Sequence, residues 1–413
     1  MNKKLIAAIL SACLLFLSAC GNAQSELPQE ETPPTQTVED TVPPADGSAM
    51  PDIGASTEPT PPADQTEDSQ KEPDAEAPTE TTPPDDTGNE AQDGPATKES
   101  IKQTFFNAIT ELTTEVQFDV SGMTWQFGAE NDLKNIYYAV LSEHRELKYA
   151  YDMEAVVSGD TAVCKFLYMP YKTGAYISEL PAGSHTVSSL RNAKVMAQSM
   201  IDGTERMIIA ITDPSLSVED IQLALAQAGY GWIRFNLSRD GTEIIAEAPV
   251  GKTLDECVAA INESFRLGGE ILSNITTAEM TDQEKVKAIY DYIVENVAYD
   301  FRYYSDWENM PYESMVAIGA LRDNLAICGG YAQAVETLLD MSGIENYTVS
   351  GVSKGENHMW NYVVLDGVGY YCDPTADRGG MSNHFMLSAD ELSALGGYSW
   401  DHEFLERIAG TEG

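Results

Sequence analysis

From residue 98 onward, apolar positions recur with helical and strand periods in alternation. Over residues 131–143, Leu133, Ile136, Tyr137, Val140 and Leu141 fall at helical spacing, which predicts an amphipathic helix. Two runs rich in β-formers, 149–157 and 161–169, flank Ser158-Gly159-Asp160 and predict a hairpin. The order then returns. Residues 207–212 predict a strand, and Ser217 with Asp220 imitates a capping box before a helix over 218–228. A second hairpin, 232–237 with 242–248, turns at Arg239-Asp240-Gly241, and 253–265 predicts one more helix. Two helix–hairpin units in succession suggest a duplicated α+β module over 98–270, and no catalytic or metal signature falls inside it.

Beyond residue 270 the periodicity is again mixed. Thr281-Asp282-Gln283-Glu284 is a capping box opening a helix with Val286, Ile289, Ile293, Val294 and Val297 on one face. In Asn324-Leu325-Ala326-Ile327-Cys328-Gly329-Gly330-Tyr331-Ala332, the apolar period continues through Val335, Leu338 and Leu339. Cys328 therefore sits at or just before a helix N-terminus. Residues 356–365 alternate, with His358, Trp360, Tyr362 and Val364 on one face, and run into an Asp366-Gly367 turn. The strand after the turn delivers Asp373-Pro374-Thr375. With a two-residue turn, paired positions sum to 733, and Asp373 shares the face of His358. It is then a diagonal neighbour at ~7–8 Å between backbones. One further loop residue would reverse that parity unless a bulge restored it.

Composition changes the picture at the N-terminus. Residues 1–20 carry Lys3 and Lys4, then a 13-residue apolar run too short to span a bilayer, ending in Leu17-Ser18-Ala19-Cys20. That ending resembles the bacterial lipobox, which implies cleavage before Cys20 and lipid attached to its thiol. Residues 21–97 hold 14 of the 20 prolines, 19 acidic side chains, one lysine and no aromatic residue. Such a segment cannot bury enough apolar surface to fold, and it reads as an extended linker. The expected location is the outer face of a bacterial cell membrane, Gram-positive by the wall-spanning reach of the linker, with the lipid on Cys20 as the membrane contact. The 413-residue chain has 66 acidic and 24 basic side chains and a net charge of −42, which excludes nucleic-acid binding through phosphate neutralisation. The folded part alone carries −26.

A helix N-terminus concentrates unpaired N–H groups and partial positive charge, and both favour the thiolate form of a cysteine. Gly329 and Gly330 remove side chains that would hinder a substrate. Taken alone, a cysteine before two glycines is better read as a buried, inert thiol. The four fragments Cys328-Gly329-Gly330-Tyr331-Ala332, His358-Met359-Trp360-Asn361-Tyr362, Asp366-Gly367 and Asp373-Pro374-Thr375 together resemble the transglutaminase-like superfamily of papain-related folds. The resemblance covers about 270–413 and implies an α+β protein whose catalytic domain is 271–413. It implies Cys328 as nucleophile, His358 as general base and then acid, and Asp373 as the group fixing the imidazole. The chain departs from the family pattern at Gly329, at Val368-Gly369-Tyr370 and at Ala376, where acidic or tryptophan residues are common, so pocket shape differs.

The activity implied is thiol-dependent attack on amide bonds of proteins or cell-wall peptides through a thioester, with hydrolysis favoured over cross-linking. The rival reading is a silent surface-binding or scaffold module with the same fold. Gly329, Trp360 and Trp307 are candidate pocket residues, with Trp360 first read as packing beneath the site. Cys372 is expected to face away and pack, His384 to meet solvent, and Cys164 and Cys257 to be buried free thiols or a disulfide. No HExxH, paired CxxC or EF-hand loop is present, so neither metal nor other cofactor is expected.

Overall fold

A computed structural model describes residues 95–175, 184–380 and 383–411. The expected signal peptide with Cys20, and the expected linker up to residue 94, lie outside the described residues. Folding begins slightly before the expected residue 98. Ala96 is buried and its N–H donates to the Asp119 carbonyl (2.7 Å). Thr97 and Ser100 then form a reciprocal cap on α1 (Lys98–Thr110).

The first module continues as β1 (Glu115–Asp119), α2 (Ala129–Glu143), β2 (Ala150–Ser158) and β3 (Thr161–Tyr168). Its hairpin places β3 between β1 and β2, all antiparallel. Phe105, Phe118, Tyr137 and Phe166 close a core belonging to this module alone. The second module comprises β4 (His185–Val187), α3 (Leu190–Gln198), β5 (Arg206–Ile211), α4 (Val218–Ala226), β6 (Arg234–Leu237) and β7 (Glu243–Glu247). Here again a strand, a helix and a hairpin follow one another. The last strand again returns to the middle to pair antiparallel with the first. The second module adds only β4, parallel to β5. The repetition is thus one of chain path, carried by dissimilar side chains.

Helix α5 (Leu254–Ile275) runs for 22 residues and starts on the Thr253–Glu256 capping box. The apolar period suggests an end at Phe265, because Gly268-Gly269 ordinarily weakens a helix interior. The helix continues because a partner fills the space a Cβ would take: at Gly268, the Met341 sulfur would lie 2.8 Å from it. The junction expected near residue 270 therefore falls inside a helix.

After α5 come α6 (Asp282–Asn296), α7 (Ala317–Asp323) and α8 (Cys328–Met341). The sheet is built from β8 (Asn346–Ser353), β9 (Glu356–Leu365) and β10 (Val368–Cys372). Past it lie α9 (Ala389–Ala394), β11 (Tyr398–Trp400) and α10 (His402–Ala409). The strand order is β10-β9-β8-β11, antiparallel throughout. One face of the sheet, through Val363 and Cys372, packs on α6 and α8. The other, through Tyr347, Val349, Trp360 and Tyr362, shares one apolar core with Ile209, Ile221, Leu225 and Phe235 of the second module.

Polar contacts reinforce that second face. Thr348 N–H donates to Gln227 Oε1 (2.9 Å), and Gln227 Nε2 donates to the Thr348 carbonyl (3.1 Å), so one amide side chain takes the place of a neighbouring strand. Gln227→Ala removes both bonds, and unfolding in urea is expected to show a loss of roughly 1–3 kcal/mol. A loss under a few tenths would mean that these polar contacts add nothing to the shared apolar core.

Candidate active site

The nucleophile candidate is set by packing at the start of α8. Ile327 is the N-cap and Cys328 the first helical residue, and Ile327 N–H donates to the Ser314 carbonyl (2.8 Å). Ser314 is held in turn by Asp300, whose Oδ2 accepts from Ser314 Oγ (2.7 Å) while Arg302 grips both carboxylate oxygens (2.8 Å each). These bonds hold the Asp300 carboxyl below the usual carboxylate range, against the opposing effect of burial. A short parallel pairing of Ala298–Tyr299 with Leu325–Ala326 brings Tyr299 alongside Cys328.

The glycines after Cys328 have a packing cause that lies in a distant segment. A Cβ at Gly330 would stand 2.7 Å from the Ser314 carbonyl oxygen, and one at Gly329 would stand 2.8 Å from that of Met315. Both are small because the preceding loop crosses over the helix start. Gly329, a candidate pocket residue, thus owes its small size to a backbone approach and stays partly exposed beside Cys328.

The register of β9 and β10 is the one that the two-residue turn predicts. Leu365 pairs with Val368 and Asn361 with Cys372, while Asp366 and Gly367 both take positive φ. Asp373 follows directly, and its Oδ2 lies 2.7 Å from His358 Nε2. That contact leaves Nδ1 as the ring nitrogen free to face Cys328, whose thiol is close enough to favour the charged ring. The three residues are thus brought together in the order Cys328, His358, Asp373.

Asp373 has no exposed side-chain surface, and its carboxylate is met from three directions. Besides His358, Tyr398 of β11 donates its hydroxyl to Oδ2 (2.7 Å), and Ala376 N–H donates to Oδ1 (3.0 Å). Burial alone would raise its pKa, but these partners hold it below the usual carboxylate range. For His358, burial opposes the positive charge. The bonds and charges of Asp373 and Cys328 outweigh it and lift the ring from 6.5 to about 10.

Trp360 is wholly buried and stacks on the His358 ring, with centroids 5.6 Å apart and planes at 27°. It cannot line an open pocket, so of its two readings the packing one holds. Trp307 meets Tyr303 edge-on, and the aromatic series continues through Tyr304 to Tyr299. That series ends beside Cys328. Cys372 is buried away from His358, accepts from Met386 N–H, and has its thiol pushed up to about 12 by burial. Cys164 and Cys257 are both buried and free.

His384 is partly exposed, as expected, but it also pairs its Nδ1 with Asp377 Oδ1 (2.8 Å), and the Tyr290 hydroxyl sits 2.6 Å from Asp377 Oδ2 and 3.0 Å from the Asp373 carbonyl. This second His–Asp pair carries the loop that carries Asp373. The spacing of Asp377 four residues after Asp373 was its only sequence signal; Tyr398 and Asp300 had none.

Comparison with known proteins places a transglutaminase-like domain here: the model of the transglutaminase-like superfamily matches residues 269–373. Kyphoscoliosis peptidase of Homo sapiens is 27% identical over 122 residues, and that of Mus musculus 26%. Each match covers 27% of this chain and 18% of the relative, so the chain spans about a fifth of the curated relatives' length. A solved structure described as a TGase is 18% identical, with 46% of this chain and 56% of that one covered and a TM-score of 0.26. A structure from Cytophaga hutchinsonii, described as a cysteine protease candidate, is 15% identical over 39% of this chain and 54% of its own, with a TM-score of 0.25.

The His358–Asp373 pair has a pH signature. Because the folded-state value of His358 lies above the ordinary 6.5, its charge adds stability below that pH and ceases to as pH climbs through about 10. Unfolding free energy of the wild type is expected to fall across that window, and to fall much less in Asp373→Asn. Equal slopes in the two proteins, measured by urea unfolding at successive pH values, would contradict the pairing.

Proposed function

We propose that the transglutaminase-like domain at 269–373 makes this chain a thiol enzyme that cleaves amide bonds of protein or cell-wall peptides. The observation that carries the reading is the imidazole of His358, held between Cys328 at a helix start and the buried carboxylate of Asp373. In the reaction, the Cys328 thiolate attacks the amide carbon, and the developing oxyanion is met by the Cys328 N–H. The C–N bond breaks as the His358 imidazolium gives its proton to the departing amine, leaving a thioester. Water then attacks, its proton passing to the imidazole, and the acid leaves as the thiolate reforms. Asp373 fixes the ring orientation throughout.

An amine in place of water would give a cross-link. Hydrolysis is the reading adopted, and the peptidase name of the mammalian relatives agrees with it. The lipobox-like ending at Cys20 and the proline-rich linker support action at the outer face of a bacterial membrane, on substrates within reach of a tether.

Of the four described cysteines, Cys164, Cys257 and Cys372 are buried and Cys328 is partly exposed. Burial pushes the Cys164 thiol up to about 12. A soft alkylating reagent is expected to label Cys328 at least tenfold faster than the others in the native protein, with the rate dropping in His358→Ala. Equal labelling of Cys328 and Cys164 would sink the enzyme reading in favour of a silent module.

Incubation with a peptide library and a fluorescent primary amine separates the two outcomes of acyl transfer. New peptide termini without incorporated label are expected, absent in Cys328→Ala. Label entering peptide would reverse the choice to cross-linking.

A further inference from the structure

Next to Asp373 the surface opens into a cavity of about 360 Å³ lined by Lys354, Ala376, Arg378 and His384. Its wall is continuous with the proposed reacting centre, because Ala376 N–H binds Asp373 Oδ1 and the His384 ring lies 6.1 Å from that of Tyr398. On the other side, the Arg378 guanidinium sits 5.2 Å over the Tyr299 ring, the ring beside Cys328. A chain of net charge −42 here presents three nitrogen-bearing side chains and no carboxylate among the lining residues.

The cationic groups are held open rather than neutralised. Arg378 is exposed and positioned by a backbone bond, Nη1 to the Thr375 carbonyl (2.7 Å). Lys354 is exposed in the β8–β9 turn at φ +54°, a left-handed conformation that favours glycine or asparagine over lysine. Neither forms an ion pair among the described residues. The nearby carboxylates are engaged elsewhere: Glu356 accepts the Tyr304 hydroxyl (2.8 Å). Asp377 is taken up by Tyr290, by His384 Nδ1 and by the N–H groups of Asn383 and His384. With Nδ1 so used, His384 keeps Nε2 for a ligand.

We infer that this cavity binds a carboxylate of the substrate, so that the enzyme selects amides flanked by an acidic side chain or by a free α-carboxylate. The inference rests on the thiol-enzyme reading and adds the substrate class to it. The net negative charge of the whole chain predicts the opposite preference, slower reaction with anionic reagents, which makes the sign of the effect diagnostic.

Three probes read it on the full chain: N-bromoacetyl-glutamine amide (neutral), N-bromoacetyl-glutamate amide (side-chain carboxylate) and N-bromoacetyl-glutamine (α-carboxylate). In each, the Cys328 sulfur displaces bromide, and mass spectrometry gives the rate at that residue. At low salt, at least one acidic probe is expected to react about three- to tenfold faster than the neutral one, and the advantage to vanish in Lys354→Asn and Arg378→Gln. Which acidic probe leads identifies the carboxylate recognised. Asparagine suits the backbone at 354, so that variant keeps the test valid if Arg378→Gln unfolds. Acidic probes no faster than the neutral one, or an advantage surviving both substitutions, would overturn the subsite while leaving the thiol reading intact. In parallel, N-acetylglutamate is titrated into Cys328→Ala protein and is expected to shift the His384 imidazole resonances unless Lys354→Asn is also present. That shift, seen with a Cys328 unreactive to all three probes, would reject the enzyme and keep the anion site; its absence counts against the site.

Discussion

A carboxylate shut off from water must be met by donors or give up its charge. Asp373 keeps its charge because three separate parts of the chain reach it: His358 on β9, Tyr398 on β11 and the N–H of Ala376 in its own loop. Each donor depends on a different long-range event. β9 must pair with β10 in one register, β11 must close the far edge of the sheet, and the loop must be pinned through Asp377 and Tyr290. Losing any one leaves a buried charge partly uncompensated, which typically costs several kcal/mol. The carboxylate thereby couples the order of the sheet to the order of the site.

Much of this was legible along the chain, for identifiable reasons. The Thr281–Glu284 cap and the Asp366-Gly367 turn are local signals, settled by residues within four positions of one another. The parity that puts Asp373 on the face of His358 follows from turn length alone, so it could be worked out without coordinates. The helix start at Cys328 followed from the period of Val335, Leu338 and Leu339.

The rest depended on contacts between distant segments. Gly268 and Gly269 look like a helix end until Met341 and Leu338 are known to lie against them. Gly329 and Gly330 look like room for a ligand until residues 314–316 are seen crossing above. Tyr398 and Asp300 belong to no motif, and their importance comes only from what they touch. His384 reads as a surface residue because its partner, Asp377, gains meaning only once the loop folds back onto Tyr290.

The two αβαββ repeats, alike in path, have parted in what they cover. The first closes most of its core upon itself and meets its neighbour through Tyr149 and Tyr151 and through the ion pairs Arg145–Glu219 and Asp152–Arg239. The second has spent its apolar face on the sheet that carries His358. The smallest unit that keeps this shared core whole therefore runs from about residue 185 to 411, and not from the point where family similarity begins. A fragment cut from residue 269 onward would sever α5 and bare Tyr347 and Val349. The leading repeat leans on that unit more lightly, through Tyr149, Tyr151 and a few ion pairs.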